Sequence, residues 1–208
     1  MIKSASEIRS AARATLSGHW AEAAMLTFVY CIVAWAFSAL VGGLEYVQQG
    51  LGTVATLLML PLSWGYTVTF LSNARGENDP FNVSRIFDGY KDFGRIFITI
   101  LLMQVYTFLW TLLFIIPGII KSLSYAMTPF VLRDNPEMKN NEAIELSMKM
   151  MDGHKGDLFW LYLTFIGWGI LCIFTFGIGY FWFAPYVQAS TAQFYEEVKA
   201  DYELKRER

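Results

Sequence analysis

Residues 96–116 read IFITILLMQVYTFLWTLLFII and contain no charged side chain. As a helix, these residues would be about 30 Å long, which matches the hydrocarbon core of a bilayer. Residues 21–41, 51–71 and 158–176 form similar runs, with Glu22 as their one charge. Charged residues make up only 16% of the chain, against about 25% in soluble domains. The sequence therefore predicts an all-α membrane protein, a polytopic helical bundle.

Two weaker segments raise the predicted number of spans to six. Residues 178–194 are interrupted by Pro185 and polar side chains, whereas residues 119–132 are short and contain Lys121. The second segment follows Pro117-Gly118, a pair that favours a tight reversal between helices. Six spans paired as three hairpins are the favoured architecture. Five spans with a re-entrant segment at 119–132 are the alternative.

The distribution of basic residues predicts the orientation of the chain. If the amino terminus is cytoplasmic, 15 of the 16 Lys and Arg residues fall in cytoplasmic segments, and only Lys121 lies near the opposite side. Cytoplasmic loops of membrane proteins carry this excess of positive charge. Six spans therefore place both termini in the cytoplasm, whereas five would leave a basic carboxyl-terminal tail outside.

A short motif recurs where each predicted hairpin begins. A helix ends at a glycine, a ring-bearing or basic residue follows, and a span then starts. We predict that Gly18, Gly89 and Gly153 adopt the left-handed conformation that ends a helix, with His19 and His154 at headgroup depth. The three junctions read Ser17-Gly18-His19-Trp20, Asp88-Gly89-Tyr90-Lys91 and Asp152-Gly153-His154-Lys155.

These junctions divide a single membrane domain, residues 1–208, into candidate repeats at 4–73, 80–133 and 136–200. The alternative is that three interfacial corners acquired the same residues without a repeat. The helices that precede the first and third junctions are amphipathic. We expect these junction helices to lie in the cytoplasmic membrane interface or against the bundle of spans, and binding of a cytoplasmic protein partner is the other interpretation.

Placing Lys121 in the membrane costs more free energy than placing any other basic residue, because the others can reach the cytoplasmic headgroups. It lies near Ser124, Tyr125 and Thr128, beside a predicted break in the helix. A cation and hydroxyl groups at a broken helix are candidates for holding an anionic headgroup or a substrate. The competing interpretation is that the lysine stem snorkels to the outer surface.

Few residues indicate catalysis or metal binding. His19 and His154 occupy equivalent junctions and would form a paired metal or proton site only if the repeats converge, so an interfacial role is favoured. Cys31 and Cys172 lie within apolar runs, where unpaired small hydrophobic side chains are expected. We therefore assign no catalytic, cofactor-binding or metal-ligating residue and predict no cofactor.

The second half of the chain contains the motifs Pro117-Gly118-Ile119-Ile120-Lys121, Asp134-Asn135-Pro136, Glu142-Ala143-Ile144 and Gly153-His154-Lys155. With these motifs the chain resembles a bacterial integral-membrane family, domain of unknown function 975. The first half matches less specifically, through Gly18-His19-Trp20. The resemblance implies a multispan protein of the bacterial inner membrane and no assigned activity.

Three classes of function remain. The favoured class is a protein that binds or organises membrane lipids or a cytoplasmic partner. The alternative is a small-solute or lipid transporter or channel that uses the Lys121 region. An intramembrane enzyme is least favoured, because no acid and base pair lies within the spans. No basic run predicts nucleic-acid binding, and the sequence does not indicate an oligomeric state.

Overall fold

A computed structural model describes residues 2–42 and 57–207 of the chain. Across these residues the elements are α-helices and one 3-10 helix, so the predicted all-α class is confirmed. The start of the predicted 51–71 span lies outside the described residues. In chain order the elements are α1 (Ala5–Leu16), α2 (Trp20–Gly42), α3 (Leu60–Ala74), the 3-10 helix (Val83–Tyr90), α4 (Phe93–Leu113), α5 (Ile115–Tyr125), α6 (Thr128–Asp134), α7 (Asn141–Met150), α8 (Lys155–Leu163), α9 (Ile166–Phe174) and α10 (Tyr180–Arg206).

Within the described part of the chain, four stretches are long and apolar enough to cross a membrane. They expose many large apolar side chains, such as Leu112, Ile115 and Phe174. Because contiguous exposed apolar surface is unusual on a soluble protein, this pattern is that of a protein solvated by lipid. The four stretches are Trp20–Phe37, Phe93–Leu113, Ile115–Asp134 and Lys155–Phe174.

Helices α3 and α10 occupy the centre of the bundle. All residues of α3 except Ser63, Thr67 and Ala74 are buried. Helix α10 packs against α1, α2 and α3, and its ten buried residues run from Ala184 to Val198. Several other helices pack against one or both members of this pair, so the core lies on α3 and α10; these helices are α1, α2, α4, α6, α7 and α9.

The reversal between α4 and α5 differs from the prediction. The chain turns at Phe114, whose backbone is extended at φ −156° and ψ 137°, and not at Pro117-Gly118. Pro117 falls in the first turn of α5, where a backbone N–H is not needed for the helix. Gly118 permits close packing, because a Cβ there would lie 2.4 Å from the Thr111 Oγ1.

The junction glycines are not equivalent. Gly18 and Gly153 have φ values of +89° and +84°, in the left-handed region that favours glycine. The prediction of a left-handed cap at Gly89 is wrong, because this residue lies inside the 3-10 helix without a positive φ. Its packing explains the glycine: a Cβ would lie 2.2 Å from the Pro61 carbonyl oxygen.

The junction helices form through recognisable local signals. Helix α1 begins with a capping box, in which the Ser4 side chain and the Glu7 carboxylate each accept from the other's backbone N–H. Its apolar residues Ile8, Ala12 and Leu16 are buried. This face packs against α3, α8 and α10, so α1 lies against the bundle, which is one of the two placements expected for it.

Candidate functional site

Lys121, the residue singled out by the sequence, already has partners within the protein. Its Nζ lies 5.1 Å from the centroid of the Trp110 ring and 3.9 Å from the Met148 Sδ. A tryptophan face attracts a cation at this separation, most strongly where water is excluded. Lys121 is therefore held between α4 and α7, and these contacts lower the free-energy cost of placing its charge within the bundle.

The three predicted neighbours of Lys121 are buried in helix packing. The Ser124 hydroxyl donates to the Ile120 carbonyl at 2.8 Å, and the Ser124 carbonyl accepts from the Ser147 hydroxyl at 2.8 Å. The Thr128 hydroxyl is buried and has no hydrogen-bond partner among the described residues. Tyr125 lines a cavity of about 390 Å³ on which Lys121 does not border. These residues are thus close in sequence but do not surround one opening.

The two junction histidines have different surroundings. His19 is half-exposed, and its Nδ1 lies 2.8 Å from the Glu22 Oε2. His154 is 9% exposed, with Asp201 at 3.0 Å from Nε2 and Asp157 at 3.5 Å from Nδ1. Across residues 2–42 and 57–207, no three His, Cys, Asp or Glu side chains are grouped as metal ligands.

Asp134, at the end of α6, is the centre of a partly buried ion-pair network that we call the Asp134 cluster. Its carboxylate accepts two hydrogen bonds from Arg75, at 2.7 and 2.6 Å. Tyr195 and Lys199 of α10 donate to the same group at 2.8 and 2.7 Å. Arg75 also donates to Glu196 at 2.8 Å, and the Asp134 hydrogen bonds raise the pKa of Arg75. The cluster joins the ends of α3, α6 and α10.

A second set of ion pairs lies on Glu77, just after α3. Arg133 donates to one carboxylate oxygen at 2.5 Å and Arg85 to the other at 3.1 Å. Burial alone would raise the pKa of Glu77, but the Arg85 hydrogen bond and the Arg133 charge hold it below its ordinary value. Arginines that appear in the sequence as ordinary loop charges therefore hold the helix ends together.

The start of α1 and the end of α10 lie together at the end of the bundle that carries these charges. Lys3 pairs with Glu197 at 2.5 Å, two residues from Lys199 of the Asp134 cluster. Farther along α10, hydrogen bonds from Lys205 and His154 lower the pKa of Asp201 to about 2. The charged ends of α1, α3, α6 and α10 therefore form one polar end of the bundle.

An apolar cavity of about 490 Å³ lies between α1, α2, α9 and α10, and we call it the aromatic cavity. Its aromatic side chains are linked to one another: the rings of Trp20 and Tyr186 are 6.2 Å apart. Trp168 and Trp182 are 47% and 50% exposed, so the cavity is not closed off from the surroundings of the protein. Its principal apolar walls are Trp20, Trp168, Leu171, Trp182, Phe183 and Tyr186.

Arg13 is the one charged residue among the described residues that line this cavity. Its Cζ lies 5.4 Å from the centroid of the Tyr186 ring, and its Nη2 donates to the Tyr186 hydroxyl at 3.4 Å. Within residues 2–42 and 57–207, no carboxylate forms an ion pair with Arg13. The aromatic cavity thus combines hydrocarbon-like walls with a single cation.

The model of one protein family, described as Protein of unknown function (DUF975), matches residues 1–124 and 112–202. The chain belongs to this family. The resemblance drawn from the second-half motifs is therefore confirmed, and the DUF975 match also covers the first half. Neither the curated proteins nor the solved structures contain a significant match. Membership in DUF975 supplies no activity, so a function has to come from the geometry.

The aromatic cavity has no clear signature in the sequence. Trp168 and Trp182 are typical of lipid-facing or interfacial residues, and Arg13 is one of many basic residues in the predicted cytoplasmic segments. The available signal was the density of aromatic residues on both sides of the Gly177–Gly179 turn, because two helices joined by a tight turn place such residues on facing surfaces. The contribution of α1 gives no local signal.

Proposed function

We propose that this DUF975 protein is a lipid-binding protein of the bacterial inner membrane, with six spans and both termini in the cytoplasm. The observation that carries the proposal is the aromatic cavity, a space of about 490 Å³ with apolar walls. This volume falls within the range of sites that bind small molecules. In a membrane the molecule present at highest concentration beside such a cavity is lipid, and burial of an acyl chain against aromatic walls is favourable.

The burial of α3 and α10 supports six spans. These helices are less apolar than the four clear candidates, but a span inside the bundle does not need an apolar surface on every side. On α10, the buried Ser190 and Thr191 hydroxyls donate to the backbone carbonyls of Tyr186 and Val187 at 2.8 and 2.9 Å. Polar groups satisfied in this way are compatible with membrane depth.

The polar end of the bundle supports the cytoplasmic orientation. The Lys3–Glu197 pair brings the two ends of the chain to the same side. Arg75, Arg85 and Arg133 lie in ion pairs there, and Arg95 donates to the Leu132 carbonyl at 3.1 Å. Since membrane proteins retain their basic segments in the cytoplasm, this end is assigned to the cytoplasmic side.

Cysteine labelling tests the orientation. In a background without Cys31 and Cys172, Lys149→Cys, an exposed position on α7, should react with a membrane-impermeant maleimide only in inside-out vesicles. Ile178→Cys, exposed in the turn before α10, should react only in intact spheroplasts. Labelling of Lys149→Cys in spheroplasts would contradict the proposed topology.

The two native cysteines provide a direct test of lipid binding. Cys172 lines the aromatic cavity, whereas Cys31 lies on α2 and does not. We expect added phospholipid to slow alkylation of Cys172 in the detergent-purified Cys31→Ser protein, by about tenfold when lipid is in about tenfold excess over its Kd. The matched Cys172→Ser protein reports Cys31, whose rate should change little. Equal slowing of the two cysteines, or of neither, would contradict a lipid site in the cavity.

Lipid binding is preferred to the transporter alternative because of the position of Lys121. Its ammonium group lies over the Trp110 ring and does not border the aromatic cavity. A cation held in this way contributes to packing between helices. Binding of a cytoplasmic protein partner, which the sequence also suggests, stays a separate prediction. The exposed side of α7 is the surface where we would expect it.

A further inference from the structure

We infer that the aromatic cavity selects an anionic phospholipid, with the lipid phosphate at Arg13 and one acyl chain along α9 and α10. The inference rests on the proposed lipid binding and adds the headgroup class to it. Its basis is the pairing of one unneutralised guanidinium with a wall that is otherwise uncharged.

The guanidinium of Arg13 retains hydrogen-bonding capacity for a ligand. It carries five N–H donors, and the Tyr186 hydroxyl accepts from only one of its nitrogens, at a long 3.4 Å. Arg13 is itself exposed, so an approaching headgroup is not blocked by burial of this side chain. The planar fork of an arginine matches the oxygens of a phosphate and can bind two of them at once.

The cavity also gives the ligand a direction. Arg13 and Trp20 lie at one end, on and beside the junction between α1 and α2. Gly179 lies seven residues before Tyr186, a distance of roughly 10 Å along a helix. A headgroup at Arg13 therefore leaves an acyl chain to run between Trp168 and Trp182 towards Gly179. Tryptophans near a headgroup are typical of the membrane interface.

The same geometry disfavours a zwitterionic headgroup. Quaternary ammonium groups bind to aromatic faces, and the Tyr186 ring is one such face at this end of the cavity. That ring already lies beneath the Arg13 guanidinium, at 5.4 Å. A choline group would have to approach a cation of the same sign, whereas an anionic lipid brings no such group.

The test compares phosphatidylglycerol with phosphatidylcholine of identical acyl chains, using alkylation of Cys172 in the Cys31→Ser protein. We expect phosphatidylglycerol to protect Cys172 at an about tenfold lower concentration, because both lipids offer a phosphate to Arg13 but only phosphatidylcholine brings a second cation beside it. The preference should decrease as the salt concentration rises, because Arg13 is exposed. Arg13→Gln should remove the preference and Arg13→Lys should retain part of it. The control Lys91→Gln, at an exposed position away from the cavity, should leave it unchanged.

Each outcome separates this inference from the proposed function. Equal protection by both lipids would overturn the anionic preference while lipid binding stands. Absence of protection by either lipid would overturn both. If Arg13→Gln keeps the full preference, or Lys91→Gln loses it as well, the assignment to Arg13 is wrong. The salt dependence of the unmutated site supplies a readout if the Arg13 variants do not fold.

Discussion

Replacement of Asp134 by alanine is expected to destabilise the protein by about 3 kcal/mol, which corresponds to a fall in melting temperature of roughly 6–12 °C. The Asp134 side chain is 7% exposed and accepts from Arg75, Tyr195 and Lys199. Its removal leaves two cations near each other in a partly buried site without their shared anion. The fall is measurable by thermal unfolding of detergent-purified protein, followed by size-exclusion chromatography.

Asp88 provides the matched control for Asp134. It pairs with Lys91 at 2.7 Å, but the side chains are 39% and 81% exposed. Exposed pairs contribute about 0–1 kcal/mol, so Asp88→Ala should shift the melting temperature by no more than a few degrees. Asp134→Asn removes the charge and keeps the side-chain volume, and we expect an intermediate result. Equal melting temperatures for Asp134→Ala and Asp88→Ala would refute the role given to the Asp134 cluster.

The central role of Asp134 could not be predicted from the sequence, although the all-α class could. The all-α class follows from uncharged runs such as residues 96–116, because the composition of a single segment determines whether its helix is more stable in lipid than in water. The partners of Asp134 lie 59 to 65 residues away in the chain. Local patterns carry no information about which distant helix ends meet, so an acidic residue after a span appears unremarkable.

The candidate site illustrates the same limit. An intramembrane cation is costly, which makes Lys121 conspicuous in the sequence, but the sequence does not reveal that Trp110, on the preceding helix, lies beside it. An arginine in a predicted cytoplasmic segment, such as Arg13, is not conspicuous. Its importance comes from the packing of α1 against α10, which brings Arg13 to the Tyr186 ring. The sequence identifies which residues are cationic, but the packing of α1 against α10 determines which of these cations faces a cavity.

The contact between α3 and the 3-10 helix is expected to tolerate very little change in side-chain size. Two glycines face it from opposite sides. A Cβ at Gly65 would lie 2.2 Å from the Ile86 carbonyl oxygen, and one at Gly89 would lie 2.2 Å from the Pro61 carbonyl oxygen. Pro61 and Gly65 are four residues apart on α3, so both contacts lie on one face of that helix. Each backbone therefore fills the space that a side chain on the other element would need.

Gly65→Ala and Gly89→Ala should each destabilise the protein by about 3 kcal/mol or more, at or above the upper end of the usual cost of overpacking. The obstacle is a carbonyl oxygen, which cannot change rotamer, so relief requires the two elements to separate. Gly94→Ala is the control, because a Cβ there meets nothing within 4 Å and alanine is the better helix former. Neither Gly65 nor Gly89 has a positive φ, so backbone strain would not explain a loss of stability.

The Gly65→Ala/Gly89→Ala double variant should lose less stability than the sum of the two single losses, because separation caused by one methyl group makes room for the other. Additive losses, or a Gly89→Ala protein as stable as Gly94→Ala, would show that the two helices are not held by this contact.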